Sequence, residues 1–155
     1  MNYRFNFRDI WAQTDFILEG IAVTLVLTVA TMLSGLVIGT LGAAARVYGP
    51  RWLSGAVAAY VEVIRNTPLI VQLFLVFFGL PSAGIRLDAM TASMIALGIN
   101  LGAYSTEIIR AGLEAIPRTQ VEAGRCLGLS GLQVFRHVVL FPAIKVIYPA
   151  LSSQF

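Results

Sequence analysis

Charge is scarce in this chain of 155 residues: 12% of them are Asp, Glu, Lys or Arg, against 57% hydrophobic. A soluble domain carries about 25% charged residues, so the composition excludes an ordinary water-soluble globule and places the chain in the membrane class. Cys126 is the only cysteine, which excludes an internal disulfide and a multi-cysteine metal site. His137 is the only histidine, so histidine clusters are excluded as well. Lys145 is the only lysine and follows no glycine-rich loop. The phosphate-cradling pattern GxxxxGK[ST] is therefore absent, and the chain carries no ATP chemistry of its own.

Long uncharged runs are what the sequence has instead. Gly20 to Ala45 contains no charged residue, and a membrane-crossing helix needs about 20 apolar residues. The run is too long for the core of a cleaved signal peptide, and acidic residues sit directly before it. Gly35 and Gly39 form a GxxxG pair, with Gly42 following, which allows another helix to approach closely. Ahead of the run, Tyr3, Phe5, Phe7, Trp11 and Phe16 have the character of aromatics lying at headgroup level. A second apolar stretch, Trp52 to Leu80, is interrupted by Glu62, Arg65, Asn66, Thr67 and Pro68. Glu62 and Arg65 share a helix face and can pair, and Pro68 bends or breaks the segment. Two readings stay open: one kinked helix that crosses, or an interfacial helix (Leu53 to Arg65) leading into a crossing from Pro68 to Leu80. A third span is expected from near Ala89 to Thr106. On it Ser93, Leu97, Asn100, Tyr104 and Glu107 recur at helical spacing, and a polar stripe there faces a bundle interior or a water-filled path, because lipid penalises it. Glu107 can also pair with Arg110 on the same helix.

Glu114 to His137 is too polar to span. Thr119 with Glu122 and Ser130 with Gln133 each fit a capping box, and Gly128 stands where the first of two short helices ends. The expectation is helix, tight turn, helix, held outside the bilayer. A DNA-reading helix-turn-helix is excluded by the missing basic footprint. Beyond His137 the chain is apolar again, broken by Pro142, Lys145 and Pro149, as though a fourth span were starting. Arg46, Arg51, Arg118, Arg125 and Arg136 fall in connections on one side of the spans, with Arg4, Arg8 and Arg86 on the other. The positive-inside rule puts the first group in the cytoplasm and the N-terminus outside.

At these residues the chain resembles a known family. Glu122-Ala123-Gly124, Gly128 and Val138-Val139-Leu140 look like the EAA loop of bacterial ABC import permeases. Arg65-Asn66-Thr67-Pro68-Leu69-Ile70-Val71-Gln72-Leu73-Phe74 and Ala103-Tyr104-Ser105-Thr106-Glu107-Ile108-Ile109-Arg110-Ala111-Gly112-Leu113 narrow the resemblance to the polar amino-acid uptake branch. The resemblance covers nearly the whole chain from Phe16 onward. It departs after Leu140, which is followed by Phe141 with proline one place later at Pro142, so the helix entry there is expected to bend differently.

The resemblance implies an all-α, polytopic transmembrane bundle of the type I importer kind in a bacterial inner membrane. Residues 1–155 would form one permease domain, and 114–137 would be its cytoplasmic coupling loop. Glu122, Ala123, Gly124 and Gly128 would couple to a separate ABC ATPase subunit, and Asn100, Tyr104 and Glu107 would line the path. A second permease, an extracytoplasmic amino-acid-binding protein and the lipid bilayer are the other implied partners, with no cofactor and no nucleic acid. The family's bundle has five helices, so three spans and the start of a fourth read as a C-terminal truncation. On the alternative reading, the chain is a non-transporting membrane fragment that only associates with partner subunits.

Overall fold

A computed structural model describes residues 13–154, and within them the chain is almost wholly helical, with no strand. The aromatics Tyr3, Phe5, Phe7 and Trp11, and Arg4 and Arg8, lie outside the described residues. Helix α1 spans Thr14–Tyr48, 35 residues. After the Gly49-Pro50 turn, α2 spans Arg51–Arg65. Helix α3, Leu69–Ser82, contains a π-helical turn at Leu75–Gly79. Helix α4 spans Ala89–Glu114 and α5 spans Arg118–Cys126. Helix α6, Gly131–Ser152, contains a second π-helical turn at Phe135–Val139. By length and composition, α1 and α6 can each cross a membrane, and α2 with α3 makes a third crossing if the bent pair is one broken span.

The centre of the bundle is α4. Ala92, Ala96, Ala103, Ser105 and Thr106 are all buried on it, and it packs most extensively against α1. Helix α4 covers the expected third span, although it is not among the helices apolar enough to cross by length and composition alone. Its neighbours shield it from the surroundings, so its polar residues need no lipid-compatible character. The contacts advance together along the two helices: Gly35 meets Leu101, Ile38 meets Gly102 and Gly39 meets Ser105. Helices α1 and α4 thus run parallel, with glycines from both at the seam, as the GxxxG spacing leads one to expect. At Gly35 an added Cβ would stand 2.7 Å from Leu101 Cγ, and at Gly98 the same distance from Ser34 Oγ.

Helices α2 and α3 meet at 105°. Pro68 forces the break, and side chains add donors at the last carbonyls of α2, of which Glu62 O and Ile64 O also accept the Asn66 and Thr67 backbone N–H groups. Asn66 Nδ2 donates to Glu62 O at 2.8 Å, Thr67 Oγ1 to Val63 O at 2.7 Å, and Gln72 Nε2 to Ile64 O at 2.8 Å. An unmet carbonyl in a lipid environment costs several kcal/mol, so backbone and side-chain donors together make so sharp a bend tenable. The structure shows two helices at this bend, and both readings of how they meet the membrane stay open.

Both π-helical turns end shortly before a proline, Pro81 and Pro142. A proline supplies no N–H to the carbonyl four residues back, and wider winding lets such a carbonyl reach a later N–H. Helix α6 therefore runs on through Pro142, and it continues past Pro149 to Ser152.

One end of the bundle gathers the end of α1, the end of α4 and the α5–α6 hairpin. The Tyr48 ring meets Phe135 edge-on at 6.4 Å, and a pocket there is lined by Tyr48, Leu113, Ile116, Val121, Arg125 and Val134. The connections carrying Arg46, Arg51, Arg118, Arg125 and Arg136 share this end, as the charge pattern leads one to expect. The loop from Ala83 to Asp88 closes the opposite end. There Asp88 N-caps α4 through the Thr91 backbone N–H at 3.1 Å and accepts from the Thr91 hydroxyl at 2.6 Å. Those two donors, the hydroxyl foremost, hold the exposed Asp88 carboxyl below its ordinary value.

Candidate functional site: a charged cleft and an outer hairpin

The break between α2 and α3 opens a polar cleft against α4. About 480 Å³ in volume, it is lined by Arg46, Glu62, Arg65, Asn66, Tyr104 and Glu107. It continues into a space of about 410 Å³ bordered by Arg65, Asn66, Thr67, Asn100 and Tyr104. Two of the three residues expected on a path, Tyr104 and Glu107, thus face the same cleft, and Asn100 borders its extension. The remaining members of the expected stripe divide. Ser93 takes no part in either cavity, and Leu97 lines a separate pocket of about 290 Å³ with Thr28, Thr31 and Asn100.

Arg65 lies over the Tyr104 ring, its guanidinium carbon 5.3 Å from the centroid. The expected Glu62–Arg65 pair is not among the ion pairs of the described residues. The α2 end turns Arg65 toward the aromatic face of α4, where the ring quadrupole attracts it. Glu107 is held by Arg110, whose Nε donates to Glu107 Oε2 at 3.0 Å and whose terminal nitrogen pairs with the other oxygen. Arg110 also pairs with Glu114. This is the fork geometry that makes arginine–carboxylate pairs strong. The cleft thereby presents both signs of charge: the guanidiniums of Arg46 and Arg65, and the carboxylates of Glu62 and Glu107. Such a surface suits a small zwitterion, whose carboxylate and ammonium each find an opposite partner, and it repels neither end.

Sequence reasoning missed Gln72, which is 7% exposed. Its Nε2 donates to both Ile64 O, at 2.8 Å, and Thr67 O, at 2.9 Å, while its Oε1 accepts from Asn100 Nδ2 at 3.2 Å. A polar residue four places beyond Pro68, inside an apolar run, is the one signal that could have found it, since lipid does not tolerate an unpaired amide.

The hairpin forms the second region. Helix α5 ends in a Schellman motif: Gly128 has φ +78°, the Leu129 N–H reaches Gly124 O at 3.2 Å and the Gly128 N–H reaches Arg125 O at 2.9 Å. Ser130 and Gln133 make the expected reciprocal capping box at the start of α6. The Thr119–Glu122 box does not form. Pro117 is the N-cap of α5, the helix begins at Arg118, and no side chain caps it. The helix starts two residues too early for Thr119 to cap it, and Thr119 sits within the first turn. Glu122, Ala123 and Gly128 are exposed, whereas Gly124 is buried. At Gly124 an added Cβ would lie 3.2 Å from Val138 Cγ2, so this glycine lets the hairpin close on itself while the other three face outward. Leu127 and Leu132 stand 82% and 77% exposed beside them. Large apolar side chains on an otherwise polar hairpin have the make-up of a contact surface.

Comparison with known proteins bears on the family and the fold. Residues 35–155 match the family described as the binding-protein-dependent transport system inner membrane component. The glutamine transport system permease protein GlnP of Escherichia coli (strain K12) is 38% identical over 154 residues, covering 97% of this chain and 70% of that one. The L-cystine transport system permease protein TcyB of Bacillus subtilis (strain 168) is 38% identical over 136 residues, covering 88% of this chain and 58% of that one. In the crystal structure of an amino acid ABC transporter with histidines, one chain superimposes with a TM-score of 0.87 at 37% identity, covering 98% of this chain and 71% of that one. The present chain thus spans 58% to 71% of the length of these relatives. With its all-helical bundle, apolar spans and matched sequence, the chain belongs to the family of inner membrane components of binding-protein-dependent transport systems.

Proposed function

We propose that this chain is a permease subunit of an ATP-driven importer of polar amino acids, sitting as a multi-pass protein in a bacterial inner membrane. The observation that carries the reading is the mixed-charge cleft of Arg46, Glu62, Arg65, Tyr104 and Glu107, set in a bundle whose relatives are permeases of amino-acid transport systems. A zwitterion passing this point would meet Arg65 and Tyr104 first with its carboxylate, while Glu107 and Glu62 would receive the ammonium. Asn100, Tyr104 and Glu107 belong to the path on this reading.

ATP hydrolysis belongs to a separate ABC ATPase. The 114–137 segment is the coupling loop on the cytoplasmic side, docking through Glu122, Ala123 and Gly128 with Leu127 and Leu132, and Gly124 holds the loop's shape. A second permease, identical or sister, completes the path, and an extracytoplasmic binding protein delivers the substrate.

The test is uptake of labelled amino acids by proteoliposomes holding the chain with its ATPase and binding protein. Replacing Tyr104 by Leu removes the aromatic face under Arg65, an interaction of about 1 kcal/mol at a partly open site. That is worth about fivefold in affinity. Tyr104→Leu should raise KM by about that factor, and Tyr104→Phe, which keeps the ring, should leave KM within twofold. Equal KM values for wild type and Tyr104→Leu would remove the cleft from the path.

A further inference from the structure

We infer that Gln72 is a positioning residue for the cleft: by joining the end of α2 to Asn100 of α4, it fixes where Arg65 stands relative to Tyr104. Two carbonyls, Ile64 O and Thr67 O, converge on one side of its amide. Carbonyls need a donor, so the Nε2 faces them and the Oε1 is left as an acceptor. Asn100 Nδ2 occupies that acceptor at 3.2 Å. The amide is thus used at both ends, and it does two separable jobs. One caps α2, a task it shares with Asn66 and Thr67. The other ties the broken α2–α3 element to the central helix, and for this the described residues offer no second polar tether as near to Arg65. The next side-chain hydrogen bond between α2 and α4 is Tyr60 Oη to Ile99 O at 2.6 Å, more than a helical turn earlier in α2.

The consequence follows from geometry. Ile64 O, which Gln72 holds, belongs to the residue immediately before Arg65. A shift at that carbonyl is carried directly into the Arg65 side chain. Its guanidinium is attracted to Tyr104 only within about 6 Å of the ring centroid, and it now sits at 5.3 Å. Loosening the tether by an ångström therefore takes Arg65 out of reach. Burial of Gln72 at 7% exposure keeps water from replacing the lost partner.

Spin labels report this without transport. Val63, 63% exposed, and Ala111, also exposed, carry them on α2 and α4 after Val63→Cys and Ala111→Cys, with Cys126→Ser removing the native thiol. In the full chain in lipid nanodiscs, the label-to-label distance should be single and narrow. Gln72→Lys keeps a donor for the two carbonyls, where a cation is welcome at a helix C-terminus, but offers nothing to Asn100 Nδ2. Its distance distribution should broaden at least twofold. Asn100→Leu cuts the same tether from the other side, leaves all three caps in place and should broaden it equally. Gln72→Lys with Asn100→Asp sets a donor against an acceptor once more and should narrow the distribution again. An unchanged distribution in Asn100→Leu, or no recovery in the paired variant, would overturn the inference.

The transport consequence rests on the proposed function. Asn100→Leu should raise KM by up to about fivefold, the worth of the Arg65–Tyr104 contact, while kcat stays within twofold, and the paired variant should recover most of that loss. If the distances behave as stated while the wild type carries no amino acid, the proposed function fails and the positioning role stands.

Discussion

Gly39 is the position at which the α1–α4 seam can be tested most sharply. An added Cβ there would overlap the Ser105 side chain and come within 3.0 Å of Ser105 C and 3.1 Å of Thr106 N. Carbon atoms settle at about 3.5–4.0 Å, and the obstructing atoms include backbone, which has no rotamer to change. The helices must therefore separate by about half an ångström or more along the seam. Overpacking of this kind costs about 1–3 kcal/mol. Against it stands the gain of about 0.8–1.0 kcal/mol for replacing Gly by Ala in a helix interior. Gly20, on the same helix, has nothing within 4 Å of its notional Cβ, so Gly20→Ala carries the gain without the clash. The propensity contribution cancels in the comparison, and the two variants should differ by about 1–3 kcal/mol, with Gly39→Ala the less stable. Reversible unfolding of the purified chain in mixed micelles, followed by far-ultraviolet circular dichroism, measures the difference. Equal stability of the two variants would mean that α1 and α4 are not interlocked at Gly39.

Gly128→Ala places a Cβ in a left-handed conformation, φ +78°, and should destabilise the hairpin by about 1–2 kcal/mol, read as faster amide exchange across α5 while α1 is unaffected. Ser130→Ala removes the side-chain half of a formed capping box and should cost about 1 kcal/mol, whereas Thr119→Ala, at a box that does not form, should change stability by less than about 0.5 kcal/mol, as surface substitutions do. The Asp88 carboxyl has its pKa lowered in the folded chain by Thr91, so its contribution is complete above the unfolded value of about 3.9 and is lost as the pH falls through the lower, folded value. Asp88→Asn should flatten the stability profile in that acid window and leave its shape unchanged near neutrality, as measured by thermal unfolding across pH.

Much of the architecture is written in local signals that operate over a few residues. The uncharged run from Gly20 to Ala45 foretells a long helix, and the structure extends it on both sides to Thr14–Tyr48. Gly128 and Ser130 foretell the end of one helix and the start of the next, since both rules concern backbone groups within one turn. Pro117 shows where such rules fail. Thr119 and Glu122 satisfy the capping-box spacing, but a proline two residues earlier fixes the helix start at Arg118 and leaves Thr119 nothing to cap. Pairing was harder to read than position. Glu62 and Arg65 have correct helical spacing for an ion pair, yet Arg65 turns to Tyr104, 39 residues along the chain. The energy of an exposed pair on one helix is a few tenths of a kcal/mol, too little to resist an aromatic face brought alongside by tertiary packing.

The polarity of α4 illustrates the same limit at the scale of a whole helix. Read along the sequence, Asn100, Tyr104 and Glu107 form a stripe, and a stripe suggests one purpose. In the folded chain the polar residues of α4 serve three purposes. Ser105 and Thr106 are small enough to sit against the glycines of α1, fully buried, with Thr106 Oγ1 returning its proton to Gly102 O at 2.7 Å. Tyr104 and Glu107 open onto the cleft. Asn100 stands between these two sets, spending its donor on Gln72. The helix can be this polar only because α1, α2 and α6 cover it, and α1 can be uncharged over so long a run because it faces outward. Hydropathy therefore marks the shell of this bundle correctly and underrates its axis: a helix that composition alone does not mark as a membrane span is the one around which the others pack.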